Sequence, residues 1–426
     1  MNSEKLINAI KCGELDAKLS TLYGAENLSS ARERYINAIN EFTALYGDRD
    51  AGLYTVAGRS ELSGNHTDHN RGCVVAASIS LDIIAVAAAT DDGIVRVKSE
   101  GFDEDVVDIN AYAEPASEKF GTSASIIAGM CAGFKMYGHK TGGFVAYTTS
   151  SVLKGSGLSS SAAFEDMIGT IESHLYNNGE VSNVEIAKLA QYAENKFFGK
   201  PCGLMDQVAC AYGGAVAIDF NDIKNPIITP ISFDFTGAGY NLCIVSTGGN
   251  HADLTDDYAS VPAEMKAIAA YLGKEVLRDT DENAVIAAIP TLREKFGDRA
   301  IMRALHFFNE NKRVEAQKNA LIAGDIETFF ENVKASGRSS FCYLQNVYTT
   351  KNVSEQGLSL ALCLAEKVLS GKSAAWRVHG GGFAGTIQAF IRTEDVAEFK
   401  SVMDACFGDG ACMVLNIRPV GAARVF

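Results

Sequence analysis

Apolar residues along this chain follow two rhythms. One repeats every three to four residues and predicts helices. The other alternates, or runs unbroken for a short distance, and predicts strands. Residues 4–47 carry two helical patterns, the second with Ala31, Tyr35, Ile36, Ile39, Phe42 and Leu45 on one stripe. Ala163, Met167, Ile168, Ile171 and Leu175 mark another helix, with Glu165, Asp166 and Glu172 between them. Ser182 and Glu185 form a capping box that opens a helix to about Phe198, its apolar face made by Ile186, Leu189, Ala190, Ala193 and Phe197. Residues 292–334 also read as helical. Strands are expected at 52–56, 94–99, 143–148, 241–245 and 387–391. The longest apolar run, residues 74–89, is interrupted by Asp82 and is too short to span a bilayer comfortably; it reads as buried strand and helix.

Polar residues gather where these elements meet. Lys154 to Ala163 is a glycine- and serine-rich loop running into a helix. Helix starts leave N–H groups without partners, and glycines let backbone approach a phosphate, so this is a candidate phosphate cradle. A loop with a serine cap and no ligand would use the same residues. The stretch from Gly58 to Gly72 is dense in hydrogen-bonding side chains. Asp68 can accept two protons from a vicinal diol, and Asn65 and His66 offer donors and acceptors; an irregular surface turn is the alternative. Asp206 lies between apolar residues after Pro201-Cys202-Gly203, as a pKa-shifted acid in a cleft or a helix cap would. Glu194 sits on the flank of its helix stripe, able to point along the edge of the core or into solvent. Trp376 to Thr386 contains consecutive glycines ahead of an apolar strand, which permits a tight turn beside another backbone.

Composition narrows the class. The chain has 426 residues, 47% hydrophobic and 21% charged, enough for two or three domains with a sizeable core. Its net charge of −14 disfavours nucleic acid as a partner but leaves room for a nucleotide at a local positive site. The ten cysteines form no C-x-x-C pair and read as reduced thiols of a cytoplasmic protein. Neither a signal peptide at Met1 nor membrane association is expected. Composition shifts over 221–231, which places the domain boundary there and divides the chain into 1–228 and 229–426.

The stretch from Gly58 resembles the galactokinase signature, usually Gly-Arg-x-Asn-Leu-Ile-Gly-Glu-His-Thr-Asp-Tyr-Asn. The loop at 155–163 is similar to the second motif of the wider GHMP superfamily of sugar, homoserine, mevalonate and phosphomevalonate kinases. Cys202-Gly203-Leu204-Met205-Asp206-Gln207 resembles the galactokinase run Cys-Gly-Ile-Met-Asp-Gln, and the stretch from Trp376 resembles the third superfamily motif, which packs against the phosphate loop. The resemblance implies two α+β domains, the first like ribosomal protein S5 and the second ferredoxin-like, with the active site between them. It implies ATP and Mg²⁺, and phosphorylation of the anomeric hydroxyl of galactose by a monomer or dimer. Asp206 would be the catalytic carboxylate and Arg59 the arginine beside it. Asn65, His66, Thr67, Asp68 and Tyr258, the last spaced from His251 as in galactokinases, would face the sugar. Ser99, Gly155, Ser156, Gly157, Leu158, Ser159, Ser160 and Ser161 would hold the nucleotide, and Ser161 with Glu194 the Mg²⁺.

Three departures stand out. Asn65 replaces the usual Glu, His69 replaces the usual Tyr, and 335–340 departs from the usual Ser-His-x-Ser-Leu-Arg. Loss of a carboxylate at Asn65 suggests a pocket tolerant of an anionic sugar such as galacturonate. Some relatives of galactokinase bind sugar and ATP as non-catalytic sensors and lack part of the phosphate loop; here that loop is complete and Asp206 and Arg59 are present, which favours an enzyme. His306 reads as a packing and hydrogen-bonding histidine.

Overall fold

The computed structural model describes residues 1–152, 158–200, 202–248 and 254–426. Gly155, Ser156, Gly157 and His251 lie outside the described residues.

Two sheets organise the described chain. The first runs in the order Ala423–Arg424, Gly52–Ser63, Cys73–Thr90, Gly143–Ser150, Ile94–Ser99, Glu104–Asp108, with Ala215–Asp219 and Ile227–Ile231 added beside Cys73–Thr90. The apolar run expected as strand and helix is instead one long strand, Cys73–Thr90. It stays extended because it serves two neighbours along one edge: residues 73–77 pair with 215–219 and residues 83–90 with 143–150. Asp82 falls between them. The Arg418 and Arg34 guanidiniums reach its two oxygens at 2.8 and 2.5 Å, and Tyr23 and Thr55 hydroxyls donate as well. Burial alone would raise its pKa, but the two arginines hold it below the ordinary carboxylate value. Removing the carboxylate would leave Arg418 buried and unbalanced. Asp82→Ala is therefore expected to cost about 3–5 kcal/mol, read as a lower urea midpoint.

Helices cover both faces of this sheet. Ser3–Lys11, Asp16–Tyr23 and Leu28–Tyr46 pack on one side, three helices where two patterns were expected. Ser123–Met136, Ser160–Tyr176, Asn183–Ala193 and Met205–Tyr212 pack on the other. The second sheet, Cys412–Leu415, Tyr240–Ser246, Thr386–Arg392, Ala375–His379, is antiparallel throughout. Its chain order, strand, helices, two strands, helix, strand, is the expected ferredoxin-like pattern. Gly357–Leu369 and Val396–Phe407 cover one face. The other joins the first domain in a shared core where Leu62, Val75, Ile79 and Leu158 meet Leu242, Ile244, Phe329 and Phe390. The helical region expected at 292–334 is two longer helices, Glu282–Ala323 and Ile326–Ser339, the first broken at Gly297.

The boundary expected between residues 228 and 229 lies within the strand Ile227–Ile231, whose backbone pairs with Ala215–Asp219. The C-terminal strand Ala423–Arg424 also returns to the first sheet, against Tyr54 and Thr55. Among the described residues no helix is long and apolar enough to cross a membrane, and all ten cysteines are free thiols.

Candidate active site

An ion pair assembled from distant parts of the chain stands at the centre of the site. Arg59 lies in the strand Gly52–Ser63, which runs well past its expected end at 56 because residues 59–63 keep pairing with the neighbouring strand. Asp206 stands in the first turn of Met205–Tyr212. Arg59 Nε and Nη2 donate to the two Asp206 oxygens at 2.8 and 2.9 Å, a two-pronged pair. The Ser159 hydroxyl donates to Oδ2 at 2.5 Å. Burial would raise the Asp206 pKa; the Arg59 charge and these hydrogen bonds outweigh it and keep the carboxyl below its ordinary value. The carboxylate is deep, yet 34% of its side-chain surface remains open to an incoming group.

Gly58 sets the spacing between this pair and the phosphate loop. The Leu158 carbonyl accepts from Arg59 N at 3.2 Å, and a Cβ at Gly58 would stand 3.1 Å from that carbonyl oxygen. A side chain there would push the loop off the strand. Ser159 then takes a left-handed φ of 57° and the helix Ser160–Tyr176 begins. Its first N–H groups, with the dipole behind them, favour an anion at this end.

A cavity of 520 Å³ opens beside the pair. Ser99, Ser160, Ser161, Glu165, Glu194 and Lys200 are part of its polar lining, and Phe102, Phe164 and Phe198 part of its apolar wall. The helix expected to reach Phe198 loosens into a π turn at Glu194–Phe198, a local form often found at functional positions. Glu194 accepts from Lys200 Nζ on one oxygen and from Gln207 Nε2 on the other, each at 2.9 Å. Gln207 also donates to Glu165 at 3.0 Å, while the second Glu165 oxygen is buried with no hydrogen-bond partner. Burial, then the Glu194 charge, push the Glu165 pKa up to about 8. The Ser161 hydroxyl and the Glu194 carboxylate are hard oxygen donors of the kind Mg²⁺ takes, and a cation beside them would favour the ionised form of Glu165. Among the described residues no cluster of three His, Cys, Asp or Glu forms a complete cage. An ion shared with nucleotide phosphates needs only one or two carboxylates.

On the other side of Asp206 lies the loop 64–72. His66, at a φ of 59°, has Nε2 2.8 Å from the Gly381 carbonyl and a buried Nδ1 with no partner. Burial lowers its pKa to about 4, so the ring is neutral and Nε2 carries the donated proton. An Asp68 oxygen is 3.5 Å from where a Cβ on Gly203 would be, which brings Asp68 to the segment carrying Asp206. Tyr258 stands in the first turn of Thr255–Tyr271 rather than in a loop, and its hydroxyl donates to Gly382 O at 2.6 Å.

Two expected sugar contacts are turned inward. The Thr67 hydroxyl donates to the Gly64 and Cys73 carbonyls and closes the turn. Asn65 has no exposed surface; Nδ2 donates to Gly380 O at 2.7 Å, and Oδ1 accepts from Asn346 at 2.8 Å and Ser340 at 3.2 Å. The glycine turn at 380–382, expected against the phosphate loop, has described hydrogen bonds to the loop 64–72 and to Asn346 and Tyr258. Gly382 has a φ of 81° and faces Asn346 O so closely that a side chain has no room. Ser99 lines the cavity and accepts from Thr148. His306 is buried between Ser339 and the Asn65 carbonyl, a packing histidine as expected.

Sequence reasoning passed over Glu165, Lys200, His379 and Arg377. Glu165 follows Ser161 by one helical turn, a spacing that could have flagged it. His379, hydrogen-bonded to Ser60 and Thr386, had no local signal; only folding brings it beneath Arg59.

A nucleotide-sized cavity at a helix start, next to a carboxylate paired with arginine and a recess of hydroxyl-binding groups, defines a small-molecule kinase of the GHMP type. Residues 124–214 match the family of GHMP kinases N terminal domains, and residues 40–89 match the galactokinase galactose-binding signature. A galactokinase of Streptomyces coelicolor is 32% identical over 395 residues, 90% of this chain and 96% of that one. One from Actinobacillus pleuropneumoniae is 30% identical, covering 86% of this chain and 92% of its own. Among solved structures, Lactococcus lactis galactokinase complexed with galactose superposes with a TM-score of 0.74 at 24% identity, covering 90% of this chain and 98% of that one. The Methanococcus jannaschii mevalonate kinase gives 0.61 at 14% identity, with 86% and 98% covered. The chain belongs to the galactokinase family of the GHMP sugar kinases.

Proposed function

We propose that this protein transfers the γ-phosphoryl group of ATP to the anomeric hydroxyl of galactose, giving galactose 1-phosphate and ADP. The observation that carries the reading is the two-pronged Arg59–Asp206 pair, open on one side and flanked by Ser159 at the start of the phosphate-loop helix. Galactose would sit between Asp206, Asp68, His66 and Tyr258. The vacant His66 Nδ1 can accept one sugar hydroxyl proton. Asp206 orients the anomeric hydroxyl and takes its proton as the sugar oxygen bonds to the γ-phosphorus and the bond to ADP breaks. Arg59 keeps Asp206 ionised and faces the charge that develops on the transferring group. The N–H groups at the start of Ser160–Tyr176 hold phosphate oxygens. Mg²⁺, held by Ser161 and Glu194, would supply charge neutralisation at the phosphates.

The idea of a pocket opened to a hexuronic acid loses its footing, because Asn65 is turned inward and a carboxylate, Glu61, stands 3.4 Å from its amide nitrogen. A non-catalytic sensor is disfavoured by the presence of Asp206, Arg59 and Ser159 in one hydrogen-bonded group. Ten unpaired thiols suit a reducing compartment such as the cytoplasm.

Galactose-dependent ADP release by purified protein, with phosphorus NMR placing the phosphate on the anomeric carbon, is the expected result; no release with galactose sinks the reading. In the same assay Glu194→Gln should raise the Mg²⁺ needed for half-maximal rate at least about tenfold. An unchanged Mg²⁺ titration would remove Glu194 from the cation site.

A further inference from the structure

Glu61 and Asn65 stand in exchanged places. The signature that this stretch resembles has Asn two residues after its arginine and Glu six residues after it; here those positions hold Glu61 and Asn65. The two side chains are buried and touch, Asn65 Nδ2 to Glu61 Oε1 at 3.4 Å. The same Glu61 oxygen accepts from Arg377 Nη2 at 2.5 Å. Arg377 has no exposed surface and comes from the strand Ala375–His379 of the second sheet. Its Nη1 is 3.9 Å from Glu310 and donates to Ser336 at 3.2 Å.

Position 65 suits an amide in this setting. One end must donate to the Gly380 carbonyl and the other must accept from Asn346 and Ser340. A glutamate at 65 beside Glu61 would place a second carboxylate against the first and against a carbonyl oxygen. An asparagine at 61 would leave the buried Arg377 short of charge. With both exchanged, one carboxylate and one amide again occupy this buried group, although the Gly380 carbonyl loses its amide donor.

We propose that Glu61 is a positioning residue for sugar binding in this kinase: it carries the charge that the signature puts at position 65, and clamps the turn bearing His66 and Asp68 to the second sheet through Arg377. The proposal rests on the sugar kinase reading above. Glu61 acts through Asn65 and Arg377, and its effect belongs to the sugar side and not to the nucleotide cavity, whose lining it does not join.

The test is a four-protein cycle: wild type, Glu61→Asn, Asn65→Glu and the double exchange. Each single variant should raise the galactose KM about tenfold or more while the ATP KM stays within twofold, and the double exchange, which restores the charge beside Arg377 but not the donor to the Gly380 carbonyl, should raise it clearly less than the product of the two singles. A Glu61→Asn protein with an unchanged galactose KM overturns the proposal, and so does a double exchange no better than the product of its singles. Wild-type turnover with galactose is measured first, since its absence is a failure of the substrate assignment alone. In that event the melting temperatures judge the pair: a double exchange more stable than the sum of the singles supports it, and additivity overturns it.

Discussion

Asp206→Asn is expected to lower kcat by about 10³-fold, within the range for loss of a positioned proton acceptor. The carboxylate has three roles, and an amide keeps none of them fully. In the proposed reaction it faces the sugar hydroxyl; in the structure it accepts two hydrogen bonds from Arg59 and one from Ser159. An asparagine turns an N–H toward either Arg59 Nη2 or Nε, where only an acceptor fits. The guanidinium, nearly buried at 10% exposure, is left without its counter-charge. ATP affinity, measured by calorimetry, should survive, because the cavity lining does not include Asp206. A variant with kcat within tenfold of wild type would remove Asp206 from the reaction.

The second large effect is at Arg59. Arg59→Ala should reduce kcat by about 10²–10³-fold, the scale for losing one preorganised charged donor. It should also move the acid limb of the kcat/KM profile. In the wild type the Asp206 carboxyl sits below its ordinary value, so the ionised form persists into acid and activity falls only as pH drops through that depressed pKa. Without Arg59 the raising effect of burial is no longer outweighed, and the limb moves to higher pH. The stability contribution has the same sign: the pair stabilises the fold above the unfolded carboxyl value and loses this as pH falls through the folded one. Arg59→Lys keeps a charge but not the two-pronged geometry and should fall between the two. An Arg59→Ala profile superimposable on the wild type would show that Arg59 does not control the Asp206 charge.

Much of the site could be read along the chain because its parts are local. Gly58 and Arg59 lie next to each other, Ser159 to Ser161 precede an amphipathic stripe, and Asp206 follows a short turn. Periodicity found the helix Ser160–Tyr176 and the strand Ile94–Ser99. It misjudged residues 74–89, since a fully buried strand has no alternating face, and Asp82 looks like a break until Arg34 and Arg418 arrive from both ends of the chain. The polar composition over 221–231 coincides with an exposed turn and with the strand Ile227–Ile231, which pairs back on Ala215–Asp219.

What this sequence determined by itself is the kit of the active site. It contains an arginine, a carboxylate, a serine-rich helix start and a cluster of hydroxyl-binding residues, in an order and with neighbours that place them in one family. Tertiary structure decided which of them face outward. Asn65 and Thr67 have the same polar chemistry as His66 and Asp68, and nothing in their spacing separates a side chain that meets a sugar from one that closes a turn. Thr67 is turned in by its own loop, through the Gly64 and Cys73 carbonyls, whereas Asn65 is held by Gly380 and Asn346, which arrive from the other domain. Burial favours a partner for each polar group it encloses, and for Asn65 the partners come from sequence positions hundreds of residues away.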